Sequence, residues 1–592
     1  MIKSTITESK KLNHPLPSLT YFVKMTHPAS HLFEVGFQIE HWSDSVLNLK
    51  MPVWTPGSYL VREYARHIQN FKAVSKNKQT RLLSQKVSKN HWRVETKEVD
   101  NILITYRVFA NELTVRTNHL DDTHGYFNGA ALFYFIPELE TVPINVEIIT
   151  PHPSWEVSTP LPEIPGKVNQ FYAKDFDTLV DSPFEIGTHA IYSFEVLGKP
   201  HQYAVWGTGN IQPNKLIEDT KKIIETEANL FGGLPYDDYL FILHLTHNNF
   251  GGLEHKNSCS LIYSRFYFRD TERYNRFIQL VAHEFLHLWN VKRIRPKALE
   301  TFDYERENYT PSLWFSEGTT SYYDMVIPLR AQIYDAKKFL ELLGKDITRF
   351  LMTPGRQVQP LSESSFDAWI KLYRRDNNSD NCQISYYLKG ELVSLLLDLL
   401  IRAKHQNKRS LDNVMVQMWE QYGKSETGFT PHQLQRVIES VADMDLQSFF
   451  NLYVDSTEEL PFNKYLNPFG LQLKPIMEED SIPYLGIRIK SENNKEIIKF
   501  VEKGSPASLE GIDPEDELLA INGIRVTAEQ LNERLKDHQA EEIISVTVFH
   551  QDELKTLSVT LGKPQPRGYE VVEIQNPSPV QEENLRGWLG KI

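Results

Sequence analysis

The stretch from Leu280 to Val291 reads Leu-Val-Ala-His-Glu-Phe-Leu-His-Leu-Trp-Asn-Val and holds the residues best suited to chemistry. His283 and His287 stand four apart, so on an α-helix they share one face, a turn from each other. Two imidazoles placed that way can bind one tetrahedral zinc at about 2.0–2.1 Å each. Glu284, beside the first histidine, can then reach a water on the same metal. The spacing predicts that helix: Phe277, Leu280, Val281, Phe285 and Leu288 recur three and four apart. The two histidines flank this apolar stripe, which puts the site at the edge of a core.

A catalytic zinc takes three protein ligands and keeps one position open, and two His with one Glu is an established set. Glu317, within Ser-Leu-Trp-Phe-Ser-Glu-Gly-Thr-Thr-Ser-Tyr-Tyr-Asp (312–324), is the expected third ligand. The chain between His287 and Glu317 is long enough for a loop and a second helix packed on the first. Trp314, Phe315, Tyr322 and Tyr323 crowd Glu317 with bulky groups. An acid in such a segment meets a cation more readily than water, although most glutamates are exposed.

Three long motifs then carry a resemblance. Residues 283–296 (His-Glu-Phe-Leu-His-Leu-Trp-Asn-Val-Lys-Arg-Ile-Arg-Pro), 313–323 (Leu-Trp-Phe-Ser-Glu-Gly-Thr-Thr-Ser-Tyr-Tyr) and 54–66 (Trp-Thr-Pro-Gly-Ser-Tyr-Leu-Val-Arg-Glu-Tyr-Ala-Arg) together resemble the glycyl aminopeptidase family of PDZ-containing zinc metallopeptidases, gluzincins with His-Glu-x-x-His plus Glu. Nearly the whole chain is covered. The related aminopeptidase N type enzymes hold substrate on a Gly-x-Met-Glu-Asn strand edge, whose Glu takes the free α-amino group. Gly251-Gly252-Leu253-Glu254-His255 is similar to it, with Leu253 and His255 in place of Met and Asn. The resemblance therefore implies substrate binding by Glu254, Gly251 and Gly252; physically, paired glycines let an extended peptide approach the backbone. Ser385-Tyr386-Tyr387-Leu388-Lys389-Gly390 is similar to the Tyr-x-Lys-Gly segment of the same enzymes. That implies Tyr387 as a donor to the oxyanion, with Tyr386 as the adjacent rival.

Composition sets the bounds. The chain has 592 residues, 41% of them hydrophobic and 24% charged, an ordinary globular mix with room for several domains. A formal charge of −13 argues against nucleic acid as a partner. The only cysteines, Cys259 and Cys382, do not make a disulfide framework. Met1 to Asn13 is polar and lacks the apolar run of a signal peptide, and no run of 18 apolar residues exists. A cytoplasmic protein with no membrane span is expected.

In chain order, residues 1–195 read as an N-terminal β-sandwich-like domain, from short alternating runs such as Leu32-Phe-Glu-Val-Gly-Phe-Gln-Ile. Residues 196–330 follow as strand, polar loop 246–255, strand, zinc helix and Glu helix, similar to a thermolysin-like catalytic domain. Residues 331–474 are helical, with Leu392, Leu395, Leu396, Leu399 and Leu400 as a packing stripe. Residues 475–563 resemble a PDZ domain through Gly-Ser-Pro-Ala-Ser-Leu-Glu-Gly-Ile (504–512), with the Leu485-Gly486 turn offering amides to a chain-end carboxylate. Residues 564–592 form a tail that either docks on the body or stays loose. The fold class is multidomain α+β. Arg62, Glu63 and Arg66 are expected to form ion pairs tying the first domain to the catalytic one. Every expected catalytic group precedes residue 475, which makes the carboxy-terminal region dispensable for metal binding and hydrolysis.

The expected function is zinc-dependent removal of amino-terminal residues from peptides, and the family implies a preference for glycine or alanine. Zn2+ is held by His283, His287 and Glu317, Glu284 acts as base and Tyr387 steadies the oxyanion. Two alternatives use the same residues: an endopeptidase or oligopeptidase fed by the PDZ domain, and a PDZ scaffold with a retired peptidase body.

Overall fold

The computed structural model describes residues 16–477 and 482–590; the opening stretch Met1–Asn13, read above as lacking a signal peptide, lies outside them. The chain forms two compact units. Of the described residues, the first comprises 16–225, 233–288 and 301–308, and the second 226–232, 289–300, 309–477 and 482–590.

The first unit opens with β structure. Leu32–Glu40 alternates strictly, with Phe33, Val35, Phe37 and Ile39 buried and their neighbours half-exposed, the period-two pattern of a strand with one face on a core. It sits between Ser18–Lys24 and Asn101–Phe109 in a seven-stranded sheet, antiparallel to both, with Phe37 facing Tyr21 and Ile104. The apolar face packs on a four-stranded sheet made of 119–120, 124–127, 156–158 and 184–187. Aromatic stacking holds the layers: Tyr21 on Phe37 at 4.1 Å within the large sheet, and Phe33 edge-on to Phe127 at 5.6 Å across them.

A third sheet of the same unit carries the chemistry. Its strands run in the order 190–196, 199–206, 239–246, 258–264 and 250–254. Tyr239–Thr246 is buried at every position and parallel to both neighbours, as a central strand covered on both faces must be. The expected polar loop 246–255 is corrected here: Phe250–Glu254 is a strand, pairing antiparallel with 258–264 at the sheet edge. Paired glycines depress strand propensity, and it is the backbone ladder to the neighbour that makes the strand. The helix Thr271–Leu286 then packs over strands 250–254 and 258–264.

The second unit is mainly helical. Its central helix, Tyr386–His405, buries Leu392, Leu395, Leu396 and Leu399, while Leu400 is half-exposed. A six-stranded PDZ module encloses its own core of Ile498, Leu518, Ile544, Val546, Val548 and Val559. The chain then returns to the helical body. Gly568–Glu573 pairs antiparallel with Leu471–Ile476, the strand that precedes the PDZ module, and a last helix spans Pro579–Leu589. The PDZ module is thus an insertion in a two-stranded ribbon. The return is locked by a buried network: Trp588 Nε1 donates to Tyr322 Oη at 3.1 Å, Tyr322 donates to Asp398 at 2.6 Å, and Arg402 bonds both Asp398 (2.8 Å) and the Gly587 carbonyl (3.2 Å). The expectation that the carboxy-terminal region is dispensable is therefore revised. Among the described residues no helix is long and apolar enough to cross a membrane.

Trp588→Ala removes a large buried side chain and the bond that Tyr322 Oη accepts, so it should destabilise the second unit by about 3–5 kcal/mol. Excising residues 483–561 behind a short linker should leave the helical body's melting temperature nearly unchanged. Thermal melts of the two variants check this; equal loss in both would mean that the PDZ module supports the body as much as the returning tail does, and loss on excision alone would remove the tail from that role.

Candidate active site

The zinc-motif helix begins at Asp270, whose carboxylate accepts the Arg273 N–H at 2.9 Å, a side-chain cap of the kind that starts helices. Phe277, Ile278, Val281, Ala282 and Phe285 are fully buried, and that face pins the helix to the sheet. The pinning fixes the opposite residues. The His283 and His287 rings lie 4.6 Å apart, nearly perpendicular at 87°. His287 is buried and His283 is half-exposed. Glu254, at the end of the edge strand, and Glu284 are 4% and 5% exposed. One nitrogen of His287 and one oxygen from each of these carboxylates lie within 4.8 Å of one another.

That concentration of buried negative charge is visible in its neighbours. Cys259, opposite Glu254 across the ladder, has its thiol pushed well up, first by burial and then by the Glu284 and Glu254 carboxylates, so it stays protonated. One oxygen of Glu254 is buried without a hydrogen-bond partner among the described residues. Buried carboxylates so arranged call for a cation. Neutral imidazole nitrogens beside carboxylate oxygens are a zinc-type donor set, so the residues present fit that metal.

Two glycines make this geometry possible. A Cβ on Gly252 would come within 2.1 Å of Glu284 Oε1, so the edge strand approaches the helix only because residue 252 has no side chain. Its carbonyl is held by Arg116, whose Nη2 donates at 3.1 Å. Gly57 turns at φ +86°, and a Cβ there would lie 2.6 Å from both Glu254 oxygens. The 54–66 motif is therefore the wall behind Glu254. Trp54 anchors it by donating to the Asp303 carbonyl at 2.8 Å, and Tyr64 by donating to the Arg116 carbonyl at 2.9 Å. For two of the three residues the expected ion pairs are corrected: Glu63 pairs with Lys89 on the β-rich side and Arg66 bonds its neighbour His67, while Arg62 donates to Ser58 Oγ at 3.0 Å. His255 faces Asp181 at 3.2 Å.

The second unit holds the other two expected residues. Glu317 lies in a π-helical turn, Trp314–Gly318, and is 2% exposed. Such turns leave carbonyls unpaired and recur at functional sites. Here the Asn290 amide donates to the carbonyls of Phe315 (2.9 Å) and Ser316 (3.2 Å). The turn crosses helix 386–405 at two glycines: a Cβ on Gly318 would meet Gly390 Cα at 2.5 Å. This crossing puts Glu317 and Tyr387 in one electrostatic neighbourhood. Burial, then the Glu317 carboxylate, then Tyr373 and Tyr386 raise the Tyr387 hydroxyl well above its ordinary pKa. Tyr386 is fully buried, whereas Tyr387 is half-exposed and shares a 3.2 Å hydroxyl contact with Tyr373. Sequence reading missed Arg116, which lies outside every flagged motif, and the roles of Asn290 and Gly318, which stood within the 283–296 and 313–323 motifs, since neither spacing nor periodicity marks a residue that acts on a distant segment. Gly57 stood within a flagged motif, but its role depends on contact with Glu254.

Comparison with known proteins follows the same architecture. Residues 20–188 match the Peptidase M61 N-terminal domain, 276–393 M61 glycyl aminopeptidase and 483–561 a PDZ domain. A crystal structure of an aminopeptidase N family protein from Idiomarina loihiensis is similar over 96% of this chain and 100% of that one, at 30% identity and a TM-score of 0.90. An M1 zinc metallopeptidase from Deinococcus radiodurans is similar over 75% of this chain and 95% of that one, at 13% identity and a TM-score of 0.47. A search of curated proteins finds no match.

The donor set predicts about one equivalent of tightly bound zinc per chain, lost in His283→Ala and in His287→Ala, with far-UV circular dichroism unchanged. Metal analysis of the dialysed proteins checks this, and zinc retained by both variants would remove the two histidines from the metal site.

Proposed function

Because the chain belongs to the M61 glycyl aminopeptidase family, we propose that it is a zinc metallo-aminopeptidase that cuts single residues from the amino terminus of peptides and favours small ones such as glycine and alanine. The observation that carries the exopeptidase reading is Glu254: a buried carboxylate with one oxygen lacking a partner, beside Glu284 and walled by the Gly57 turn. A protonated α-amino group is the cation that suits it. An endopeptidase has no amine to hold and no use for such a carboxylate.

Each role follows from position. We assign His283, His287 and Glu317 as the residues that hold zinc, which as a Lewis acid polarises the scissile carbonyl. Glu284 takes a proton from the attacking water and returns it to the leaving amine. Gly252 keeps the space Glu284 needs. The edge strand 250–254 lies alongside the substrate backbone, as an added strand would. Tyr387 keeps its proton across the neutral range because burial and Glu317 disfavour the phenolate, so it can donate to the oxyanion. One such preorganised donor contributes about 2.7–4 kcal/mol to the barrier. The PDZ module is read as holding a polypeptide chain end. A cytoplasmic setting rests on two cysteines that form no bridge, Cys259 and Cys382.

Four variants and an acetylated substrate test the assignment. Glu284→Gln should keep zinc and lose nearly all turnover, and Glu317→Ala should lose zinc. Glu254→Ala should lower kcat/KM on glycyl or alanyl substrates by at least about 100-fold with zinc content unchanged, because stranding a buried charge costs roughly 2–5 kcal/mol and each tenfold step is ~1.4 kcal/mol. Acetylating the substrate's amino group should abolish turnover by the unmodified enzyme; equal rates on free and acetylated peptides would promote the endopeptidase reading. Gly252→Ala should keep the fold but cut kcat by about 100-fold or more, since the new Cβ displaces Glu284 from its working position. Normal kcat in that variant would show that Glu284 has slack the close approach does not suggest.

A further inference from the structure

The first unit gathers a second set of metal-type donors from residues given no role above. His119, Asp121 and His124 belong to a tight hairpin whose strands, 119–120 and 124–127, pair antiparallel. One nitrogen of each imidazole and one Asp121 oxygen lie within 4.8 Å of one another, and the two rings are 4.9 Å apart. His119 Nε2 and Asp121 Oδ2 face each other at 3.1 Å. Two donors on one tetrahedral ion of the zinc type stand about 3.3 Å apart when each bond is near 2.0–2.1 Å, so this pair already has nearly that spacing.

The turn fixes Asp121. Its Oδ1 accepts the N–H groups of Thr123 (2.7 Å) and His124 (3.1 Å) and the Thr123 hydroxyl (2.6 Å), which leaves Oδ2 turned to His119. His124 is fixed from behind. It is fully buried, its ring lies flat on Trp206 at 3.7 Å, and its Nδ1 meets Glu185 Oε1 at 2.9 Å. The other oxygen of Glu185 is 2.8 Å from His244 Nε2, and Oε1 is 4.0 Å from His189 Nδ1. One carboxylate balances one positive charge, so these three buried rings are not all cationic. In a neutral His124 the carboxylate accepts from Nδ1–H, and Nε2 presents a lone pair.

That lone pair has no use within the protein. His124 Nε2 is buried without a hydrogen-bond partner among the described residues, and so is His119 Nδ1. A carboxylate on one ring nitrogen and a free lone pair on the other is the arrangement that orients metal-ligating histidines. The His119 and Asp121 side chains keep 13% and 27% of their surface, so an ion can enter from solvent. The hairpin's position gives such an ion a task. Arg116, three residues before His119, holds the Gly252 carbonyl. Tyr126, two residues after His124, donates to Ser260 Oγ at 2.9 Å, on the strand that pairs with 250–254. The hairpin thus buttresses the edge strand from two points.

We propose that His119, Asp121 and His124 form a reversible site for a divalent transition ion of the zinc class, separate from the residues assigned to the catalytic zinc, and that the ion stiffens the hairpin that buttresses strand 250–254. Imidazole with one carboxylate selects such ions over Mg2+ and Ca2+, which take oxygen ligands. Entry costs the His119–Asp121 hydrogen bond and leaves one side of the ion open to water, so this site empties on dialysis that the tight zinc survives. The site does not depend on the aminopeptidase reading.

The test uses two full-length proteins, the zinc-loaded chain and the His283→Ala, His287→Ala double variant. Co2+ titration of the double variant, followed by visible ligand-field absorption, should show one saturable equivalent. Adding His119→Ala or Asp121→Asn should weaken it at least about tenfold, with far-UV circular dichroism unchanged. Equimolar Mg2+ should not compete. Hydrogen–deuterium exchange at residues 112–127 of the zinc-loaded chain should slow when Co2+ is added. Crystals of that chain soaked in Co2+ should give an anomalous peak bounded by His119, Asp121 and His124. Uptake that both substitutions leave intact, or no uptake, overturns the site, and so does an anomalous map without that peak, which decides alone if either substitution unfolds the chain. Competition by equimolar Mg2+ overturns the ion class, and unchanged exchange overturns the stiffening. Peptide hydrolysis enters none of these measurements, so its absence would count against the aminopeptidase reading alone.

Discussion

Two buried carboxylates held against a histidine are the constraint on which the first unit depends. Glu254 and Glu284 have oxygens within 4.8 Å, a separation at which like charges repel by about 3–4 kcal/mol at an effective dielectric of about 20. Burial sharpens the penalty, because little water remains to spread the charge. On the proposed reading, a metal at the imidazole side and an ammonium at the Glu254 side supply the balancing positive charge. The surrounding structure supports this strained acidity. Gly252 lets strand and helix approach, Arg116 takes the strand's carbonyl, and the Gly57 turn closes the back. Each is a substitution-sensitive position with no chemistry of its own.

The second unit meets a different problem, the placing of Glu317 and Tyr387 from segments far apart in sequence. A π-turn aims Glu317 and leaves backbone carbonyls to satisfy, which Asn290 does. The Gly318–Gly390 crossing then brings helix 386–405 close enough for the Glu317 carboxylate to add to the burial that raises the Tyr387 hydroxyl. That helix is fixed at its far end by Arg402, Asp398, Tyr322 and the returning Trp588. At its near end it is capped by Ser385. Placing the PDZ module inside the ribbon of 471–476 and 568–573 makes it part of the body's covalent framework.

Much of this was legible in the amino-acid order alone. Local periodicity determined the zinc-motif helix, since three-and-four spacing can be buried only as a helix. Residue type and spacing named His283, Glu284, His287 and Glu317, and motif resemblance named Glu254 and Tyr387. The alternating run 32–40 marked a half-buried strand. Tertiary structure alone decided the rest. Strand 250–254 exists through pairing with 258–264, against the weak propensity of its glycines. Gly57 and Arg116 matter because remote segments fold onto Glu254 and Gly252. The tail 568–589 docks because a partner strand and a buried Tyr322–Asp398–Arg402 network await it. Periodicity and motif spacing are local properties written along the chain, whereas the absence of a Cβ, a lone guanidinium or a terminal tryptophan acquires meaning only when folding sets another surface against it.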